Sequence, residues 1–158
     1  MEKARDFLAK FNKMELNSKQ KGILTETQCL AEFSKLGLTV SIPYGDSARY
    51  DFILDYNNKL YRIQCKTSNK IDDGVYTFSC RSTTGNTSTV KRRSYDETQI
   101  DFFATIVENE CYLIPVQETG SVSKTLRFKP VKTGQVKGIT YAQDYALKIQ
   151  LGKIKTKD

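Results

Sequence analysis

Residues Tyr50-Asp51-Phe52-Ile53-Leu54-Asp55-Tyr56-Asn57-Asn58-Lys59-Leu60-Tyr61-Arg62-Ile63-Gln64-Cys65-Lys66 set two β-prone runs on either side of an Asn-Asn pair. Asn tolerates positive φ, so Asn57 and Asn58 suit the central positions of a tight two-residue hairpin turn. Such a turn fixes the register. With Tyr56 facing Lys59, Asp51 falls opposite Gln64 and Arg49 opposite Lys66. Alternation then sorts the side chains: Tyr50, Phe52, Leu54 and Tyr56 share a core face with Tyr61, Ile63 and Cys65. The other face carries Ile53, Asp55, Leu60 and Arg62 towards the turn, and brings Asp51, Gln64 and Lys66 together at the open end. An acid, an amide and an amine thus converge there, although a plain Asp51–Lys66 ion pair on an exposed face would have the same spacing.

Upstream, residues 2–16 read as an amphipathic helix with Phe7, Leu8, Phe11 and Met14 at helical spacing. Asn17-Ser18 offers a cap for a second helix from Lys19 to Leu36, closed by Gly37. At 100° per residue Ile23, Cys29, Leu30, Phe33 and Leu36 form one apolar stripe, and Glu26 lands between Phe33 and Leu30. A carboxylate inside a buried stripe is costly unless it is paired or binds a metal. At the stripe's N-terminal end it could equally reach solvent.

Leu38 to Pro43 and Val75 to Arg81 read as further strands, Tyr95 to Ile100 as a short helix, and Phe102 to Val107 with Cys111 to Pro115 as an apolar pair about Glu108-Asn109-Glu110. Leu126 to Phe128 reads as strand, and a short helix is expected near Ala142 to Leu147. No repeat or linker divides the chain. The expectation is one domain over residues 1–158, an α/β fold of α+β character with a mixed central sheet flanked by helices.

Composition narrows the chemistry. The 158 residues contain no histidine, which excludes Ser-His-Asp and Cys-His pairs and Cys/His zinc fingers. Any general base must be Asp, Glu, Lys or Tyr. The four cysteines form no CxxC pair and read as free, buried thiols of a reducing compartment. The charged N-terminus and the lack of a long apolar run lead us to expect a cytoplasmic protein with no membrane partner.

The net charge of +7 is uneven: residues 119–158 hold nine basic side chains against Asp144 and Asp158, and the rest is balanced. This stretch reads as a basic C-terminal extension. Lys124, Arg127, Lys129 and Lys132 are its candidates for contact with a polyanion, since phosphate neutralisation supplies much of nucleic-acid affinity. Lys91, Arg92 and Arg93 form a second cluster at the end of a polar stretch, Ser82 to Thr89, that reads as a flexible loop. Arg49, beside the acid, is a further candidate. Solvated lysine-rich surfaces would look alike.

Glu26, Asp51, Gln64 and Lys66 together suit metal-assisted phosphodiester hydrolysis. Asp51, the Gln64 side-chain oxygen and the Cys65 carbonyl can hold a hard cation such as Mg²⁺, and Glu26 can hold a second metal or a metal-bound water. Lys66 can orient or deprotonate water, or offset transition-state charge.

Arg49-Tyr50-Asp51, Gln64-Cys65-Lys66-Thr67-Ser68 and the helical Glu26 resemble the PD-(D/E)xK nuclease superfamily, and within it most nearly the group I intron-encoded homing endonucleases, where a Gln also replaces the second acid. The resemblance runs from about Gly22 to Pro115. It implies a restriction-endonuclease-like core and a Mg²⁺-dependent endonuclease, with Mn²⁺ as an alternative ion. It implies a homo-oligomer, dimer or tetramer, cutting double-stranded DNA at a specific site. Tyr50 stands where the motif has Pro, and Gln64 removes one negative charge from the metal site. A Holliday-junction-resolvase-like nuclease would use the same core, and a non-catalytic DNA-binding module could retain it.

Overall fold

The computed structural model describes residues 15–45, 47–84, 89–131 and 138–155. The expected helix over residues 2–16 lies almost wholly outside them. Helix α1, Ser18–Lys35, begins at a capping box: the Asn17 side chain accepts from the Gln20 N–H and the Gln20 side chain accepts from the Asn17 N–H. Gly37 at φ +70° ends it. Its buried line is Thr25, Cys29 and Phe33. Ile23 and Leu36, expected in that stripe, are instead exposed.

The hairpin forms in the expected register. Strands β2, Phe52–Tyr56, and β3, Lys59–Cys65, pair from Phe52–Ile63 to Tyr56–Lys59, and Asn57 and Asn58 take φ 53° and 58°. Beside them run β1, Thr39–Ser41, on one side and β8, Phe102–Val107, on the other, followed by β9, Glu110–Pro115. The order is β1-β2-β3-β8-β9, antiparallel except for the parallel β3–β8 pair. The central sheet is therefore mixed, as expected. Glu108 and Asn109, with φ 50° and 66°, close the β8–β9 hairpin.

Both faces of this sheet are covered, which is why β8 and β9 are nearly continuous apolar runs. On one face Phe52, Leu54, Ile63, Cys65, Phe102, Ala104, Cys111 and Leu113 pack with Cys29 and Phe33 of α1 and with Leu147 and Leu151 of helix α2, Leu147–Lys155. Burying a side chain such as Phe33 contributes roughly 1.5–3 kcal/mol. On the other face Phe103, Val107, Tyr112 and Ile114 meet a second, three-stranded sheet. That sheet has the order β10-β5-β4, from β4, Asn69–Asp72, β5, Val75–Ser79, and β10, Ser123–Arg127. Tyr50, expected beside Phe52, packs into this second cluster, since regular pairing of β2 begins only at Phe52.

Three expectations change. Tyr95 to Ile100 form a turn, not a helix: Asp96 Oδ1 accepts from the Thr98 N–H at 2.9 Å, a local bond that competes with helical pairing. The polar segment expected as a loop begins and ends as strand, β6, Arg81–Thr84, paired with β7, Lys91–Ser94. The basic stretch read as an extension beyond the core supplies Leu126, Leu147 and Leu151 to the two cores, so it cannot be removed without exposing them.

Candidate active site

Asp51 continues the hairpin beyond β2, its N–H donating to the Ile63 carbonyl at 2.8 Å. That places its carboxylate against the end of β3. Asp51 Oδ2 accepts from the Cys65 N–H at 2.7 Å and from Gln64 Nε2 at 2.6 Å. Gln64 is buried, and its amide nitrogen also donates to the Cys65 carbonyl at 3.2 Å. Burial pushes the Asp51 carboxyl above its ordinary value, against the pull of the Cys65 N–H, the Lys66 cation and the Gln64 amide.

Helix α1 adds Glu26. The Thr25 hydroxyl bonds to its own helix at the Lys21 carbonyl and meets the Thr67 hydroxyl at 2.9 Å, which pins the helix beside the segment that follows β3. Glu26 is therefore held close to Asp51 and Lys66. Burial raises its carboxyl, the Asp51 charge raises it further, and Lys66 partly offsets this. Both acids border a cleft of about 430 Å³ with Leu30, Ile42, Pro43 and Phe52.

Lys66 is fixed at its backbone, its N–H donating to Ala104 and its carbonyl accepting from the Thr105 hydroxyl at 2.6 Å. Its ammonium donates to the Arg81 carbonyl at 3.2 Å and lies 4.9 Å from the centre of the Tyr95 ring. Burial lowers its pKa, Asp51 opposes this and Arg49 adds to it. Nothing in the local sequence pattern of Tyr95 marks it for this site. Arg49 stacks on the same ring at 4.1 Å, and its guanidinium donates to the Ser82 hydroxyl, the Ser94 carbonyl and the Gln99 side chain.

Glu26, Asp51, Gln64, Cys65 and Lys66 thus share one site. Arg49 borders it, with donors engaged by the protein itself. The other expected DNA contacts are spread out. Lys91, Arg92 and Arg93 are exposed on β7. Half-buried Lys124 donates to the Glu118 carbonyl at 2.6 Å, Lys129 pairs with Asp73 at 2.6 Å, Arg127 lies at the end of β10, and Lys132 is outside the described residues.

Among the described residues no three His, Cys, Asp or Glu side chains converge as a metal cluster. The donor set here is of another kind: two oxygens, Asp51 Oδ2 and the Cys65 carbonyl, meet at one amide nitrogen. Turning the Gln64 amide over would present a third oxygen, and Glu26 stands nearby. Hard oxygen donors around buried negative charge fit a divalent cation such as Mg²⁺. Behind them the buried thiols of Cys29, Cys65 and Cys111 belong to one apolar cluster, and all four cysteines are free.

Comparison with curated proteins gives no match. Among solved structures, a bacterial homing endonuclease, I-Ssp6803I, is similar at 25% identity with a TM-score of 0.67, over 89% of this chain and 99% of that one. A family model described as PD-(D/E)XK endonuclease matches residues 16–148, a span that holds every member of the acid, amide and amine site. By that match over most of its length, the chain belongs to the PD-(D/E)XK endonuclease family.

Proposed function

We propose that this protein is a Mg²⁺-dependent endonuclease that hydrolyses phosphodiester bonds of double-stranded DNA at a preferred site and acts as a homo-oligomer, with Mn²⁺ able to replace Mg²⁺. The observation that carries the reading is the convergence of Asp51 Oδ2 and the Cys65 carbonyl on the Gln64 amide, next to the half-buried Lys66 ammonium. Membership of an endonuclease family and likeness to a homing endonuclease support the substrate and the preference for a site.

Asp51, Gln64 and the Cys65 carbonyl would hold the ion, with Glu26 at its edge, and the ion when bound polarises the scissile phosphate and lowers the pKa of water. The Cys65 N–H aims the Asp51 carboxylate, and the Gln64 amide joins it as a donor when no ion is bound. Lys66, held by the Arg81 carbonyl and Tyr95, offsets charge that builds on the phosphate as an ammonium or takes a proton from the attacking water as an amine; its lowered pKa favours the second role. Leu30, Ile42 and Phe52 narrow the cleft around the acids.

Supercoiled plasmid in Mg²⁺ should be nicked and linearised, and EDTA should prevent it. Asp51→Asn and Lys66→Ala should each lower cutting by on the order of a hundredfold or more while duplex binding persists. Full cutting by either variant, or equal cutting in EDTA, would remove the assignment.

A further inference from the structure

The β6–β7 ribbon adds no side chain to either apolar core. Its eight residues, Arg81, Ser82, Thr83, Thr84, Lys91, Arg92, Arg93 and Ser94, include no apolar side chain, and all but Arg81 and Ser82 are exposed. From Arg81 to Tyr95 the sequence has no Asp or Glu. Strands usually form because one face buries apolar surface, so a wholly polar, cationic pair points to a polar, anionic partner.

The base of the ribbon is bolted to the candidate active site. Lys66 Nζ donates to the Arg81 carbonyl, and Arg49 donates to the Ser82 hydroxyl at 2.5 Å and to the Ser94 carbonyl at 3.2 Å. On the opposite side, Arg81 Nε and the Ser94 hydroxyl both donate to the Ser121 carbonyl. Residues paired across antiparallel strands share a face. The register therefore gives one face to Ser82, Arg93, Thr84 and Lys91, and the other to Arg81, Ser94, Thr83 and Arg92. Ser82 identifies the first as the face on the side of Arg49 and Lys66. The second turns towards Ser121.

We propose that the β6–β7 ribbon enters the major groove of the duplex being cut and that its Ser82 face determines sequence preference, with Thr84, Lys91 and Arg93 reaching base edges. A two-stranded ribbon fits the major groove, where Arg and Lys donate to guanine O6 and N7, and Thr meets either a hydrogen-bonding edge or the thymine methyl. Because Arg49 and Lys66 hold the ribbon's base, groove contact and catalytic residues keep a fixed spacing along the DNA. Arg92 on the far face adds positive potential without reading bases.

The inference rests on the endonuclease reading, and binding separates the two. The full chain, in Ca²⁺ to limit cutting, is used to select duplexes from a randomised pool, and affinity for the selected duplex is compared with that for a scrambled one. Thr84→Ala, Lys91→Ala and Arg93→Ala should each reduce this ratio by roughly five- to 150-fold, equivalent to about 1–3 kcal/mol per lost base contact. Arg92→Ala should weaken binding to both duplexes alike and leave the ratio standing. Mg²⁺-dependent plasmid cutting with ratios untouched by the three variants would overturn the ribbon assignment alone. So would a ratio that depends on Arg92. Selection with no cutting in Mg²⁺ would support the ribbon and overturn the catalytic reading.

Discussion

Gln64 Nε2 donates to the two oxygens proposed to help hold a cation, Asp51 Oδ2 at 2.6 Å and the Cys65 carbonyl at 3.2 Å. An amide tolerates both situations, as donor without metal and as oxygen ligand with it. A carboxylate tolerates only the second. In Gln64→Glu, an oxygen would face Asp51 and the carbonyl, so in EDTA the fold should lose roughly 1–3 kcal/mol, read as an earlier denaturant midpoint. Mg²⁺ should recover that loss by mass action, and at lower concentration than the wild type requires to be stabilised. A midpoint unchanged in EDTA and insensitive to Mg²⁺ would take Gln64 out of the cation site. The convergence of Asp51, Gln64 and Lys66 was legible because an Asn-Asn turn leaves the register no freedom. Tyr95 was not, because its meeting with Arg49 and Lys66 depends on how a turn of irregular backbone crosses the sheet end.

Helix α1 shows what periodicity can and cannot tell. Its start, its end and the inward turn of Glu26 follow from Asn17, Gly37 and the spacing of Cys29 and Phe33. The exposure of Ile23 depends on what packs against the helix, which no helical wheel contains. The β6–β7 ribbon was missed for the converse reason, having no apolar alternation to announce it. Glu26 is raised by burial and then by Asp51, so its folded-state pKa lies above the unfolded one and the folded protein binds the proton more tightly. Stability is therefore lost as pH rises through its titration. Glu26→Gln removes the charge and the loss with it. In EDTA the variant should be the more stable protein at neutral pH, by no more than about 1 kcal/mol given its partial exposure. The difference should vanish below the ordinary Glu value of 4.5. Thermal melts across pH check this, and a variant less stable at neutral pH would mean that Glu26 is paired favourably without metal.

The described residues present one acid, amide and amine site, whereas a duplex has two strands of opposite polarity. Cutting both requires either two protomers with their sites in register with the two scissile phosphates or two successive visits by one. These predict different products when active protein is mixed with Asp51→Asn protein. If two copies act together, mixed assemblies carry one working site, and an equimolar mixture should accumulate nicked circles at the expense of linear DNA. Linear product should then fall more steeply than total activity as the inactive share rises. With independent visits, the inactive chains merely dilute the active ones, and the ratio of linear to nicked product at equal active protein stays constant. The exposed Ile42 and Tyr44 on the loop bordering the cleft, with Leu60 at the hairpin turn, offer apolar surface for such a contact. Light scattering should accordingly give a mass of at least twice the 18.0 kDa of one chain. A monomer whose product ratio ignores the mixture would assign both cuts to a single protein acting twice.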